Sequence, residues 1–97
     1  MVALLLQSLR SVNEGDSTLL DNTVVAWGTD IADGENHSED KIPWAVFGGR
    51  KLGIRGGRMI DAKQRNANDL LISLCHAMGL SDIKTFGHAD LCAGPLL

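Results

Sequence analysis

Side chains able to hold a metal ion crowd one stretch of this 97-residue chain, Thr29-Asp-Ile-Ala-Asp-Gly-Glu-Asn-His-Ser-Glu-Asp40. Asp30, Asp33, Glu35, His37, Glu39 and Asp40 supply carboxylates and an imidazole, the ligand types that divalent cations such as zinc, manganese or calcium take. Asp30 and a histidine seven residues later, His37, could meet around one such cation. The same composition also describes an ordinary solvated loop. The spacing does not match an EF-hand loop, which needs acidic groups at alternate positions before its glycine.

Other reaction chemistries find little support. The chain has no Gly-x-Ser-x-Gly elbow, no phosphate-binding P-loop and no Gly-x-Gly-x-x-Gly fingerprint. Cys75 and Cys92 form no Cys-x-x-Cys pair, and two cysteines make no disulfide framework; a Cys75–Cys92 bridge needs the tail to fold back. His76 falls near the end of a helical stretch, where an imidazolium interacts favourably with the helix dipole. His88 lies in the tail with no partner assigned by sequence. Arg50, Lys51, Arg55, Arg58, Lys63 and Arg65 cluster, which reads as a solvated face or an anion site.

The elements that must position the loop are short. Val2 to Asn13 is expected as an amphipathic helix with Val2, Leu5, Leu6, Leu9 and Val12 on one face, closed by Gly15. Thr23-Val-Val-Ala-Trp-Gly28 is β-branched and apolar without alternation, the pattern of a strand buried on both faces, as in a mostly parallel sheet. Asp30 then follows the C-terminal end of that strand, where ligand sites of open α/β sheets gather. Asp33-Gly34 signals a turn inside the loop. Trp44 to Phe47 is a second apolar run, which Pro43 can open because no ladder donor is needed there. Arg58-Met-Ile60 is expected as a short edge strand. Ala67 to Met78 is the clearest helix: Ala67, Leu70, Leu71, Leu74, Ala77 and Met78 make its apolar stripe, Asn66 or Asn68 caps it, Asp69 sits in its first turn and Gly79 ends it.

An apolar fraction of 44% is ordinary for a folded chain, and a net charge of −3 with a pI near 5.4 argues against a nucleic-acid partner. No stretch is long enough to span a bilayer, and the Met1-to-Leu6 run lacks the basic start and small-x-small site of a signal peptide. The expected fold is α/β, the C-terminal portion of a mixed or mostly parallel sheet with packed helices. Residues 1–97 read as one partial domain of a larger one, because a strand apolar on both faces requires neighbours that this chain does not clearly supply.

Several stretches in order, Asn13 to Gly28, Asp33-Gly-Glu-Asn-His-Ser38, Ile42-Pro43, Phe47-Gly-Gly49, Gly57-Arg58, Asn68 to Leu74, Ala77-Met-Gly-Leu80, Phe86-Gly87 and Cys92-Ala-Gly-Pro-Leu96, resemble the C-terminal part of the bacterial domain-of-unknown-function family fifteen-fifty-two. The resemblance covers almost the whole chain. It implies a missing N-terminal part of the same protein as the principal partner, and an extracytoplasmic location, periplasmic or secreted, for the full-length protein.

That family is in turn distantly similar to the alkaline phosphatase and sulfatase superfamily, in which a buried strand ends in a metal-binding Asp-His pair and a later His-Thr-Gly-Glu-Asp-Val-Pro stretch supplies another ligand. Thr29-Asp30-Ile31 falls where the pair would be, and His37-Ser-Glu-Asp-Lys-Ile-Pro43 resembles the second stretch. The resemblance therefore implies Asp30 and His37 as ligands of a divalent metal, with Asp33 or Asp40 orienting them, in an exported metal-dependent hydrolase acting on a small-molecule substrate. Ile31 replaces the pair's histidine, and the nucleophile lies outside these residues, so the chain is expected to be inactive alone. The other expectation is a non-catalytic extracytoplasmic protein that keeps the scaffold.

Overall fold

A computed structural model describes residues 1–37 and 40–97. It is a mixed helix-and-strand protein with two α-helices and two small antiparallel sheets among the described residues. The chain divides into two compact units, Met1–Gly48 and Gly49–Leu97.

In the first unit, helix α1 (Val2–Ser11) ends two residues before the expected Asn13, because Val12 is already extended and the next residues enter a hairpin. Strands β1 (Asn13–Glu14) and β2 (Ser17–Thr18) pair antiparallel across Gly15-Asp16. Gly15, with φ of 64°, therefore serves that turn and not the end of the helix. Leu4 and Leu5 of α1 face solvent; Val2, Leu6 and Leu9 are half-buried, and the helix packs on β2 and on a 3-10 turn at Leu19–Asn22. A capping box starts that turn: the Thr18 hydroxyl accepts from Asp21 N–H, and the Asp21 carboxylate accepts from Thr18 N–H at 3.0 Å.

Strand β3 (Val24–Gly28) pairs antiparallel with β4 (Trp44–Gly48) in the register Val24 with Gly48, Ala26 with Val46 and Gly28 with Trp44. Both strands form where the β-branched and aromatic runs predict them. Neither is buried on both faces, however: Ala26, Trp27 and Gly28 are exposed, as is Trp44. The indole of Trp44 lies across Gly28, so closely that a Cβ on that residue would sit 2.5 Å from the ring. The missing side chain thus makes room for the aromatic one.

In the second unit, a 3-10 turn (Arg50–Leu52) leads into irregular chain, and residues 58–60 form no strand. Helix α2 (Ala67–Ala77) has the expected caps. Asn66 accepts from Asn68 N–H at 3.1 Å, and Leu80 N–H closes back on Cys75 O at 3.0 Å around left-handed Gly79. Its buried face differs from the apolar stripe. Leu70 and Ile72 are buried, but so are Asp69 and Ser73, while Ala67 and Met78 are exposed. The helix turns those polar residues inward because the C-terminal tail lies over them.

Candidate functional site

Asp30 and His37 both lie in the connection between β3 and β4, and both are exposed. Asp30 is the second residue beyond β3. Before it, Thr29 folds the chain locally: its hydroxyl donates to Ile31 O at 3.0 Å and accepts from Ile31 N–H at 3.3 Å. This turn tucks Ile31 into a half-buried position while Asp30 stays in solvent.

Asp33 builds the turn that its Asp-Gly pair predicts. One carboxylate oxygen accepts from Glu35 N–H at 3.0 Å and the other from the Asn36 amide at 2.7 Å. The Asn36 amide, followed by the Glu35 N–H, holds the Asp33 carboxyl below the usual carboxylate range. Asp33 is therefore committed to its own turn and makes no hydrogen bond to Asp30 or His37. His37 takes a left-handed backbone, φ of 50°, and so does Lys41 at 58°. Asp40 is exposed, and Glu39 lies outside the described residues.

Among the described residues no three of His, Cys, Asp or Glu converge in a way that could hold a metal ion. Asp30 and His37 supply two donors of suitable type, whereas a protein metal centre takes three or four protein ligands. On their own they do not make a complete centre, and no reaction step can be routed through one here.

The most elaborate polar constellation lies elsewhere, in the second unit, and was only partly legible in sequence. Asp69, fully buried, accepts from Arg65 Nε at 2.8 Å through one oxygen, and from Ala93 N–H at 2.8 Å and Gly94 N–H at 3.2 Å through the other. Arg65 reaches on to the carbonyls of Gly94 at 2.7 Å and Pro95 at 3.2 Å. One turn later Ser73 Oγ donates to Asp69 O and accepts from Leu96 N–H at 2.7 Å and Leu97 N–H at 2.8 Å. Burial raises the Asp69 pKa, but the Arg65 hydrogen bond, the two backbone donors and the guanidinium charge outweigh it, and the carboxyl rests below its usual value. Both Asp69 oxygens and the Ser73 hydroxyl are engaged within the chain, and most of these bonds hold the tail on α2. The Arg65–Asp69 spacing of four residues was the available signal; the tail's role was not.

A shallow cleft beside the tail is lined by His76, Ser81, Lys84 and Cys92. His76 Nε2 lies 2.6 Å from Ile83 O, to which it donates, so the imidazole fastens the chain after α2. Cys92 is free, as is Cys75. Its Sγ accepts from Phe86 N–H and lies 3.3 Å from Phe86 O, which makes the thiol a fastener of its own loop. His88 Nδ1 accepts from Asp90 N–H, capping the 3-10 turn Ala89–Leu91. No helix among the described residues is long and apolar enough to cross a membrane.

No protein-family description, curated protein or solved structure matches this chain.

Proposed function

We propose that the chain is the C-terminal part of an exported metal-dependent hydrolase of the phosphatase and sulfatase type, with Asp30 and His37 among the ligands of a divalent cation. The fold in this reading is alkaline-phosphatase-like, with β3 lying inside a larger, mostly parallel sheet. The observation that carries the reading is positional. Asp30 and His37 share the connection that leaves the C-terminal end of β3, both are open to solvent, and neither hydrogen-bonds the other. The apolar, half-open β3–β4 pair is also what one piece of a larger sheet looks like without its neighbours. The cation would polarise a transferred phosphoryl or sulfuryl group; this chain's own contribution would be to hold part of that cation.

The test is metal content of the longer polypeptide. Stoichiometric zinc, manganese or calcium that falls in both Asp30→Ala and His37→Ala, with the fold retained, supports the reading. A protein with no bound metal, or with metal indifferent to both substitutions, refutes it.

A second reading, a non-catalytic extracytoplasmic protein on the same scaffold, is favoured by one observation. Ile31 stands where the superfamily's pair has its histidine, and the Thr29 turn directs it inward, so that position offers no ligand.

A further inference from the structure

The tail is gripped through atoms that every peptide has. Arg65 donates to the carbonyls of Gly94 at 2.7 Å and Pro95 at 3.2 Å. The Asp69 carboxylate accepts from the N–H groups of Ala93 and Gly94, and the Asp69 carbonyl accepts from Leu96 N–H at 3.2 Å. The Ser73 hydroxyl accepts from Leu96 and Leu97 N–H. On the tail side each of these bonds ends on main chain. Pro95 is the one residue of the five with no N–H to place, and the other four N–H groups all find acceptors in this set. No residue from 93 to 97 is buried, and Ala93 and Pro95 are exposed. The receiving side is the reverse: Asp69 is 0% exposed and Ser73 5%.

One position of the tail is selective. Gly94 has a φ of 120°, where only glycine is at ease, and a Cβ added to it would touch nothing. Glycine is needed there for its backbone alone.

We propose that Arg65, Asp69 and Ser73 form a peptide-binding site, that its ligand is a short segment of the form x-Gly-Pro-x-x, and that the tail of a second copy of this chain fills it when the chain's own tail is withdrawn. Main-chain hydrogen bonds supply the affinity in such sites. The backbone shape at glycine supplies the selection. A second copy is the occupant because its residues 93–97 are the segment whose fit is observed. The chain's own tail is tethered and competes at an effective concentration on the order of millimolar. Dilute wild-type chains therefore keep their own tails, and exchange begins where one tail is spoiled or displaced. The site lies wholly in the second unit. Metal content of the longer polypeptide, which tests the hydrolase reading, does not bear on it.

Two full-length variants, each impaired on one side, provide the test. Gly94→Val keeps the site and spoils the tail; Asp69→Asn keeps the tail and spoils the site. Mixed at millimolar concentration, they should sediment as a complex of twice the 10.4 kDa chain mass, while each alone stays a monomer. A capped Ala-Gly-Pro-Leu-Leu peptide should slow amide exchange in α2 of Gly94→Val and raise its melting temperature. The same peptide with valine for glycine should bind roughly tenfold more weakly or worse. Should either variant fail to fold, the wild-type chain gives the second readout. Excess peptide should displace its tail and move the Leu96 and Leu97 amide signals to those of unstructured chain, and a peptide of reversed order should not. Folded variants that do not associate, a chain indifferent to the peptide, or equal binding of the valine or reversed peptide overturns the proposal.

Discussion

Arg65 and Asp69, one helical turn apart, meet through a 2.8 Å contact between Nε and a carboxylate oxygen that is wholly shielded from solvent. The same guanidinium grips the Gly94 carbonyl at 2.7 Å. An ion pair at this spacing on an open helix surface contributes little. Here it is the centre of a clasp, because the other carboxylate oxygen has only Ala93 and Gly94 N–H as partners. Removing Asp69 leaves the Ala93 and Gly94 N–H groups without their carboxylate acceptor.

Asp69→Asn keeps the shape but removes the charge and one set of acceptor lone pairs. It should destabilise the second unit by about 2 to 4 kcal/mol, between the loss of a charged hydrogen bond and the breaking of a buried pair. Urea unfolding gives the magnitude. Amide exchange at Ala93 and Gly94 should speed up before exchange in α2 does. Unchanged protection at both amides would show that the tail is held by something else.

Ser73→Ala should loosen the last residues without unfolding the helix. It leaves Leu96 and Leu97 N–H without their hydroxyl acceptor. The expected loss is about 1 to 3 kcal/mol. The observable is faster exchange at Leu97 than at Ala93, since the Asp69 half of the clasp survives.

Acid should release the tail. The Asp69 carboxyl has a lower pKa folded than unfolded, so its contribution is present in full above the unfolded carboxylate value, about 3.9, and fades as pH falls through the folded one. Stability of the second unit should therefore be flat from neutral pH down to that value and decline below it. An Asp69→Asn protein should lack this acid step. If wild type and Asp69→Asn lose stability in parallel, the clasp is not the acid-sensitive element. Asp33, also depressed but fully exposed, should contribute little.

Gly28→Ala should disturb the β3–β4 pair through Trp44. The added methyl would meet the indole at a distance real contacts do not reach, so the ring must move. A penalty of about 1 to 3 kcal/mol is expected, as for other overpacking, with a change in tryptophan emission. Adding Trp44→Leu should recover part of the stability. No recovery would mean that Gly28 is required for its backbone and not for its space.

Local structure was largely legible from the sequence. The caps of α2 at Asn66 and Gly79, the Asp33 turn and the position of β3 and β4 follow from side-chain chemistry acting within a few residues, and the chain obeys it there. Gly15 shows where local reading falters. A glycine two residues past a helical pattern and a glycine in a two-residue hairpin carry the same signal, and only pairing between Asn13–Glu14 and Ser17–Thr18 decides between them. Asp30 and His37 are proposed as metal ligands on a resemblance in residue type and order, which says nothing about a third or fourth donor arriving from elsewhere.

What the sequence by itself determined is the set of short-range elements and the Thr29–Ile42 connection that carries Asp30 and His37. Only tertiary structure decided which face of α2 is buried. Its apolar stripe would place Asp69 and Ser73 in solvent, yet both are inside, because a tail more than twenty residues away brings N–H groups that need acceptors once water is gone. The antiparallel pairing of β3 with β4 and the exposure of Trp27 are likewise tertiary outcomes. An apolar run specifies that a strand prefers neighbours, but pairing is contact between distant segments, and neither its direction nor its partner is written in the run itself.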